Sequence, residues 1–175
     1  DNMMLTSLLG LGASADIEIE LDTSDGRKMT NIKDRNDNVK KAYVYQDKEG
    51  ISGKTAIYLK NNKSIDHQGI RVELVGMIEN FYDKSQNLQF LTLSRELEPP
   101  GTLSENTTYD FNFNNVEMEY ESYCGICVRL RYFIQITINR SYGTIKDEEE
   151  FVVFNPTTEP ESNAKLRMEV GIEEC

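Results

Sequence analysis

Apolar and polar side chains alternate most regularly over residues 128–139, VRLRYFIQITIN. Val128, Leu130, Tyr132, Ile134, Ile136 and Ile138 fall on one face. Arg129, Arg131, Gln135, Thr137 and Asn139 fall on the other, with Phe133 the apolar exception. A period of two, held over this length and rich in β-branched and aromatic residues, predicts a strand with one dry face and one wet, cationic face. A helix would scatter the same side chains around its circumference.

The pattern recurs in shorter form along the chain. Residues 16–22 set Ile17, Ile19 and Leu21 against acids, and residues 42–45 and 51–59 are further strands around a polar turn at 47–50. Residues 29–38 are polar and are assigned no strand. Residues 69–79 place Ile70, Val72 and Leu74 together, with Gly76 marking a bulge or a close backbone approach. Residues 88–95 are apolar on both faces, as expected deep in a sandwich, and Pro99-Pro100-Gly101 breaks the chain after them. Residues 108–113 gather Tyr109, Phe111 and Phe113, and residues 151–154 follow an acidic run. Residues 155–163 have linker composition, after which Leu166, Met168, Val170 and Ile172 alternate once more. No stretch forms an amphipathic helix of about ten residues, and about nine strands spaced by turns predict an all-β, antiparallel β-sandwich.

Charge narrows the partners. Thirty acidic against 19 basic residues give a net charge of -11, which repels phosphate backbones and anionic headgroups. Nucleic acid is therefore not expected as a partner. No apolar run approaches the roughly 20 residues that span a bilayer, so direct membrane insertion is not expected either. The apolar residues 3–11 lack a basic leader, and the three cysteines are an odd number, which reads as reduced thiols in a cytoplasmic protein.

Candidate chemistry is sparse. His67, the single histidine, lies in DHQG before a strand, where a turn role fits better than catalysis. Asp34, Asn36 and Asn38 are spaced like the start of a calcium loop, but that loop needs Gly and Glu where Val39 and Tyr45 stand. Cys124 and Cys127 form a C-x-x-C, yet a structural zinc lacks its other ligands, and a redox motif would open a helix rather than a strand. Glu117, Glu119 and Glu121 recur at every second position, as on a solvated strand face. We expect no catalytic residue, no cofactor and no metal, and hence no enzyme.

Four stretches carry a resemblance: HQGIRVELVGMIE (67–79), Tyr109-Asp110-Phe111, YESYCGICVRLRYFIQITI (120–138) and KLRMEVGIEEC (165–175). With ISGK at 51–54 and DKS at 83–85, they resemble the arrestin-like subunit of retromer, the vacuolar protein sorting-associated protein 26 family. That resemblance implies an arrestin-like β-sandwich over residues 15–154 after an N-terminal segment 1–14. A linker at 155–164 and the first strand of a second, similar sandwich at 165–175 would follow. It further implies a non-enzymatic coat subunit that helps sort transmembrane cargo in retrograde transport from endosomes, peripheral to their membranes. The implied partners are the large α-solenoid retromer subunit (through the second sandwich), sorting nexins, and cargo cytoplasmic tails. Cargo and a sorting nexin would meet the strand Arg167, Met168, Glu169, Val170 and Gly171, the cargo tail adding alongside it as an extra strand. A PDZ domain of a sorting nexin would contact Asp47, with an apolar loop position that falls at about Pro156 here. The C-x-x-C departs from the family pattern.

Overall fold

The computed structural model describes residues 14–23, 26–33 and 37–156. They form twelve strands: β1 (Ala15–Leu21), β2 (Met29–Lys33), β3 (Val39–Tyr45), β4 (Ile51–Leu59), β5 (Ile65–His67), β6 (Ile70–Asn80), β7 (Leu88–Glu98), β8 (Gly101–Leu103), β9 (Thr107–Phe113), β10 (Tyr123–Cys124), β11 (Val128–Arg140) and β12 (Gly143–Val153). Two layers result. The smaller sheet has the order β1-β4-β9. The larger has the order β2-β3-β12-β11-β6-β7, with β10 paired to the start of β11, and β5 and β8 make a separate ribbon. The pairings are antiparallel except β3 with β12, which run parallel through Val44–Val152 and Tyr45–Val153. The strands expected between residues 16 and 154 are thus present, with this parallel pair, β2 and the short strands β5, β8 and β10 in addition; the strand expected at 166–172 lies outside the described residues.

The core lies between the layers. Ile17, Ile51, Ile57, Phe111 and Phe113 from the smaller sheet meet Tyr45, Ile70, Val72, Leu74, Ile134, Ile136 and Phe151 from the larger. The central strand β11 contributes Tyr132, Ile134, Ile136 and Ile138, all fully buried, which is the dry face expected. Leu130 on the same face is only half-buried, because the smaller sheet's cover runs out toward the strand's start.

The opposite face of β11 is not wet. Phe133 and Thr137 are buried there, and so is Arg129, at 8% exposure. Phe133 sits between Val75 of β6 and Glu150 of β12. Long charged side chains cover this strip. Arg129 binds Glu150, Lys40 lies 3.8 Å from the same carboxylate, and Arg131 joins Glu79 and Glu148 while its guanidinium stacks 4.1 Å over the Phe133 ring. The alternation of residue types is real, but the polar members neutralise one another and lay their stems over the apolar ones. Burial of the charged form is opposed by Glu148 and Glu79, and the Arg131 guanidinium ends up held above its ordinary value.

Two strand readings change for identifiable reasons. Residues 29–33, polar and assigned no strand, form β2 at the sheet's edge, held by its ladder to β3 rather than by a buried face. Residues 88–95 were expected deep in the sandwich, yet they lie in β7, the opposite edge strand, and Leu88 is 57% exposed. Its two apolar faces are one face interrupted. Gln89 pairs with Met77 but Leu91 pairs with Gly76, so Phe90 is an extra residue that reverses the alternation. Gly76 serves both expected purposes: a Cβ there would lie 2.7 Å from the Phe90 ring and 3.1 Å from Tyr132.

Candidate functional site

Asp47 and Pro156, far apart in sequence, meet at one corner of the sandwich. β3 ends at Tyr45 and turns through residues 46–50, a turn in which Lys48 takes a positive φ of 69°. The turn is closed by the Glu49 N–H donating to Gln46 carbonyl at 3.2 Å. β12 ends at Val153 beside it, because the parallel pairing brings Val153 opposite Tyr45. The Asp47 N–H donates to Asn155 Oδ1 at 2.7 Å, so Pro156, which is exposed, sits one residue from this bond.

A third segment completes the corner. Residues 116–122 form no strand, yet Glu117 and Glu119 are exposed and alternate with buried Val116 and Met118, so the solvated acidic face is present there without strand pairing. Backbone bonds hold its ends, Val116 to Lys48 and Glu49 and Ser122 to Val153, and side chains pin the middle. The Met118 N–H donates to Asp47 Oδ1 at 2.6 Å, and Asn155 Nδ2 donates to the Met118 and Glu119 carbonyls at 3.0 and 3.2 Å. The Asn155 N–H donates to Glu121 Oε1 at 3.1 Å, and Lys48 Nζ binds Glu117 at 2.9 Å, an exposed pair that holds the ammonium above its usual value. Behind the corner, Arg27 stacks 4.1 Å over the Tyr45 ring and binds Glu49 at 3.1 Å. Burial pushes the Tyr45 hydroxyl up, while the Arg27 charge works against it.

Asp47 therefore has a structural duty as well as a half-exposed position: one carboxylate oxygen is committed to Met118. Nothing in the residue types alone marks Asn155 as the hub that ties three segments together. An Asn-Pro pair at the end of a strand is the one sequence cue, since Asn readily bonds nearby backbone in turns.

The other sequence-derived candidates are dispersed. Arg167, Met168, Glu169, Val170 and Gly171 lie outside the described residues. His67 ends β5, buried, and its Nδ1 accepts the Gly69 N–H at 3.2 Å, a turn role as expected. Cys127 is free and exposed, and Cys175 lies outside the described residues. Within the C-x-x-C the Gly125 N–H donates to the Val128 carbonyl at 2.8 Å, turning the chain from β10 into β11. Among the described residues, no three His, Cys, Asp or Glu side chains converge as metal ligands would, and no helix is long and apolar enough to cross a membrane.

Two packed sheets, an edge strand on each, and loops tied by side-chain hydrogen bonds define an all-β protein of the arrestin-like sandwich class. A solved structure of Spo0M, the sporulation control protein of Bacillus subtilis, shares the fold. Its TM-score is 0.53 at 12% identity, covering 83% of this chain and 51% of that one. The particular family follows from sequence. The family described as Vacuolar protein sorting-associated protein 26 matches residues 11–175, and this chain belongs to it. Vacuolar protein sorting-associated protein 26 of Dictyostelium discoideum is 45% identical over 94% of this chain and 48% of its own length. The human protein 26B is 40% identical over 97% of the chain and 51% of its own length. The Caenorhabditis elegans protein is 38% identical over 98% and 48%. The chain thus spans about half the length of the curated relatives it matches.

Proposed function

We propose that this chain is the first arrestin-like sandwich of a retromer subunit, a non-enzymatic scaffold that helps recognise transmembrane cargo for retrograde transport from endosomes. The observation that carries the reading is the family match over residues 11–175. The protein would act in the cytoplasm, peripheral on endosomal membranes, with sorting nexins supplying the membrane contact.

Cargo tails would add as an extra strand beside Arg167, Met168, Glu169, Val170 and Gly171, their backbone groups giving affinity and Met168 and Val170 reading an apolar side chain. The large α-solenoid subunit would bind chiefly through the second sandwich. Asp47 and the exposed Pro156 would contact a PDZ domain of a sorting nexin. Their meeting at one corner, bridged by Asn155, supports a common contact. Calorimetric titration of the protein with cargo-tail peptide and sorting nexin tests the reading. Val170→Asp should abolish ternary binding and leave thermal stability unchanged. Binding at full strength by that variant would place the cargo site elsewhere.

A further inference from the structure

The edges of the two sheets are not equally protected. β1 and β9 bound the smaller sheet, and β2 and β7 bound the larger. A bare edge invites another chain to pair with it, and charged residues along a strand discourage that. β1 exposes Asp16, Glu18 and Glu20, β9 carries Asp110 at its middle, and β2 is five residues long and ends on Lys33. β7 differs. From Leu88 to Ser94 it reads LQFLTLS, seven residues without charge or proline, and its charges begin only at Arg95. The bulge at Phe90 disturbs the start of the strand, but residues 91–96 then pair with β6 in unbroken register, from Leu91–Gly76 to Glu96–Arg71. Among the described residues, no strand pairs with the other side of β7.

This open stretch has two different faces. Leu91 and Leu93 stand opposite Gly76 and the fully buried Leu74, so they lie on the core side, half-buried and packed against the core. Thr92 and Ser94 lie on the outer side, both exposed. Farther along, the Arg95 guanidinium sits 5.2 Å over the Phe113 ring. Burial, with Glu98 beside it and bonded to it, pushes the Tyr109 phenol up to about 12. These two contacts tie β7 to β9 and hold the edge in place. Glu96 is exposed and enters no ion pair among the described residues, because Arg71 opposite it is bound to Glu73.

We propose that β7 is a strand-addition edge that takes an extended, basic segment of another protein. The segment pairs through its backbone with residues 91–96, and its side chains read the two faces. Antiparallel pairing is the more stable sense. It sets a Lys or Arg opposite Glu96 and apolar residues opposite Leu93 and Leu91, so the segment reads basic-x-x-apolar-x-apolar. Charge selects this occupant over a second copy: a net charge of -11 on each chain repels its like and attracts a cation. The proposal does not rest on the cargo reading, which concerns residues 167–171.

The intact protein is titrated with the capped peptide KTTVTVT, whose lysine falls opposite Glu96 and whose valines fall opposite Leu93 and Leu91. Amide NMR should show saturable shifts over residues 91–96. The charge-reversed peptide ETTVTVT should bind the wild type about fivefold more weakly, and Glu96→Lys should invert that preference. Ser94→Lys sets a cation on the open edge and should weaken KTTVTVT by about as much. Val170→Asp should leave KTTVTVT binding unchanged, which separates this edge from the cargo strand. Absence of saturable shifts at 91–96 would overturn the proposal, and so would equal affinity for the two peptides. Binding lost in Val170→Asp would also overturn it, by placing the peptide on the cargo strand. Shifts at β7 that arise on raising protein concentration without peptide would overturn it too, by seating a second copy there. Should Glu96→Lys fail to fold, the two peptides compared on the wild type decide alone.

Discussion

Arg129 and Glu150 offer the sharpest test of how the sheet's outer face is built. Both are more than nine-tenths buried, and Glu150 keeps only Lys40, at 3.8 Å and half-exposed, when Arg129 is gone. Arg129→Met keeps an apolar stem and removes the charge, leaving a carboxylate stranded in a dry site. Loss of one partner of a buried pair costs about 3–5 kcal/mol, and the remaining lysine places this case near the lower end, at about 3 kcal/mol. Replacing both, Arg129→Met with Glu150→Leu, removes the stranded charge and should return stability to within about 1 kcal/mol of the wild type. Urea unfolding at neutral pH reads all three proteins, and the single-variant loss should change little with added salt because the pair is shielded from solvent. A single-variant loss below about 1 kcal/mol, with no recovery in the double variant, would show that the face is solvated after all.

Ile134→Ala, at a fully buried position of the core, should cost about 2–5 kcal/mol by denaturant unfolding, and the half-buried Leu130 clearly less; equal losses would refute the placement of the cover. Gly53→Ala should cost about 3 kcal/mol or prevent folding, since its Cβ would lie 2.2 Å from the Glu20 carbonyl oxygen of the neighbouring strand; a neutral outcome in a thermal melt would contradict the register. Burial, with Asp147 and Glu150 nearby, pushes the Glu149 carboxyl up against the pull of Lys40. Its folded value lies above its unfolded one, so the charged form destabilises the fold above that value, and the cost vanishes as pH falls through it. Glu149→Gln should therefore stabilise the protein at pH 7 and lose the advantage near about pH 4; a gain that persists in acid would point to another cause. Asn155→Ala removes side-chain bonds to Asp47, Met118 and Glu119, and should loosen residues 46–50 and 116–122 together in hydrogen exchange; loosening of one loop alone would deny Asn155 its bridging role.

What the sequence reveals follows what period and residue type can encode. β4 is legible to the residue because its alternation is uninterrupted from Ile51 to Leu59. β7 misleads because Phe90, a single inserted residue, swaps the parity of Leu88 against Leu91 and Leu93, and parity is all a one-dimensional reading has. β2 escapes notice since an edge strand of polar residues draws its order from the ladder to β3, which lies outside its own sequence. Arg129 and Arg131 look solvent-facing until Glu150, Glu79 and Glu148 arrive from other strands to neutralise them. The corner is half legible: Asp47 is visible through a family resemblance, while its neighbour Asn155 emerges only when a parallel pairing brings the end of β12 against the end of β3.

The central claim is that this sandwich belongs to a working retromer subunit. Affinity purification of the full-length protein from cytosol, with quantitative mass spectrometry of what accompanies it, tests that claim most directly. A large α-solenoid subunit should co-purify in near-equal amount, and sorting nexins should appear below it. Recovery of the protein without any such stoichiometric partner would contradict the account.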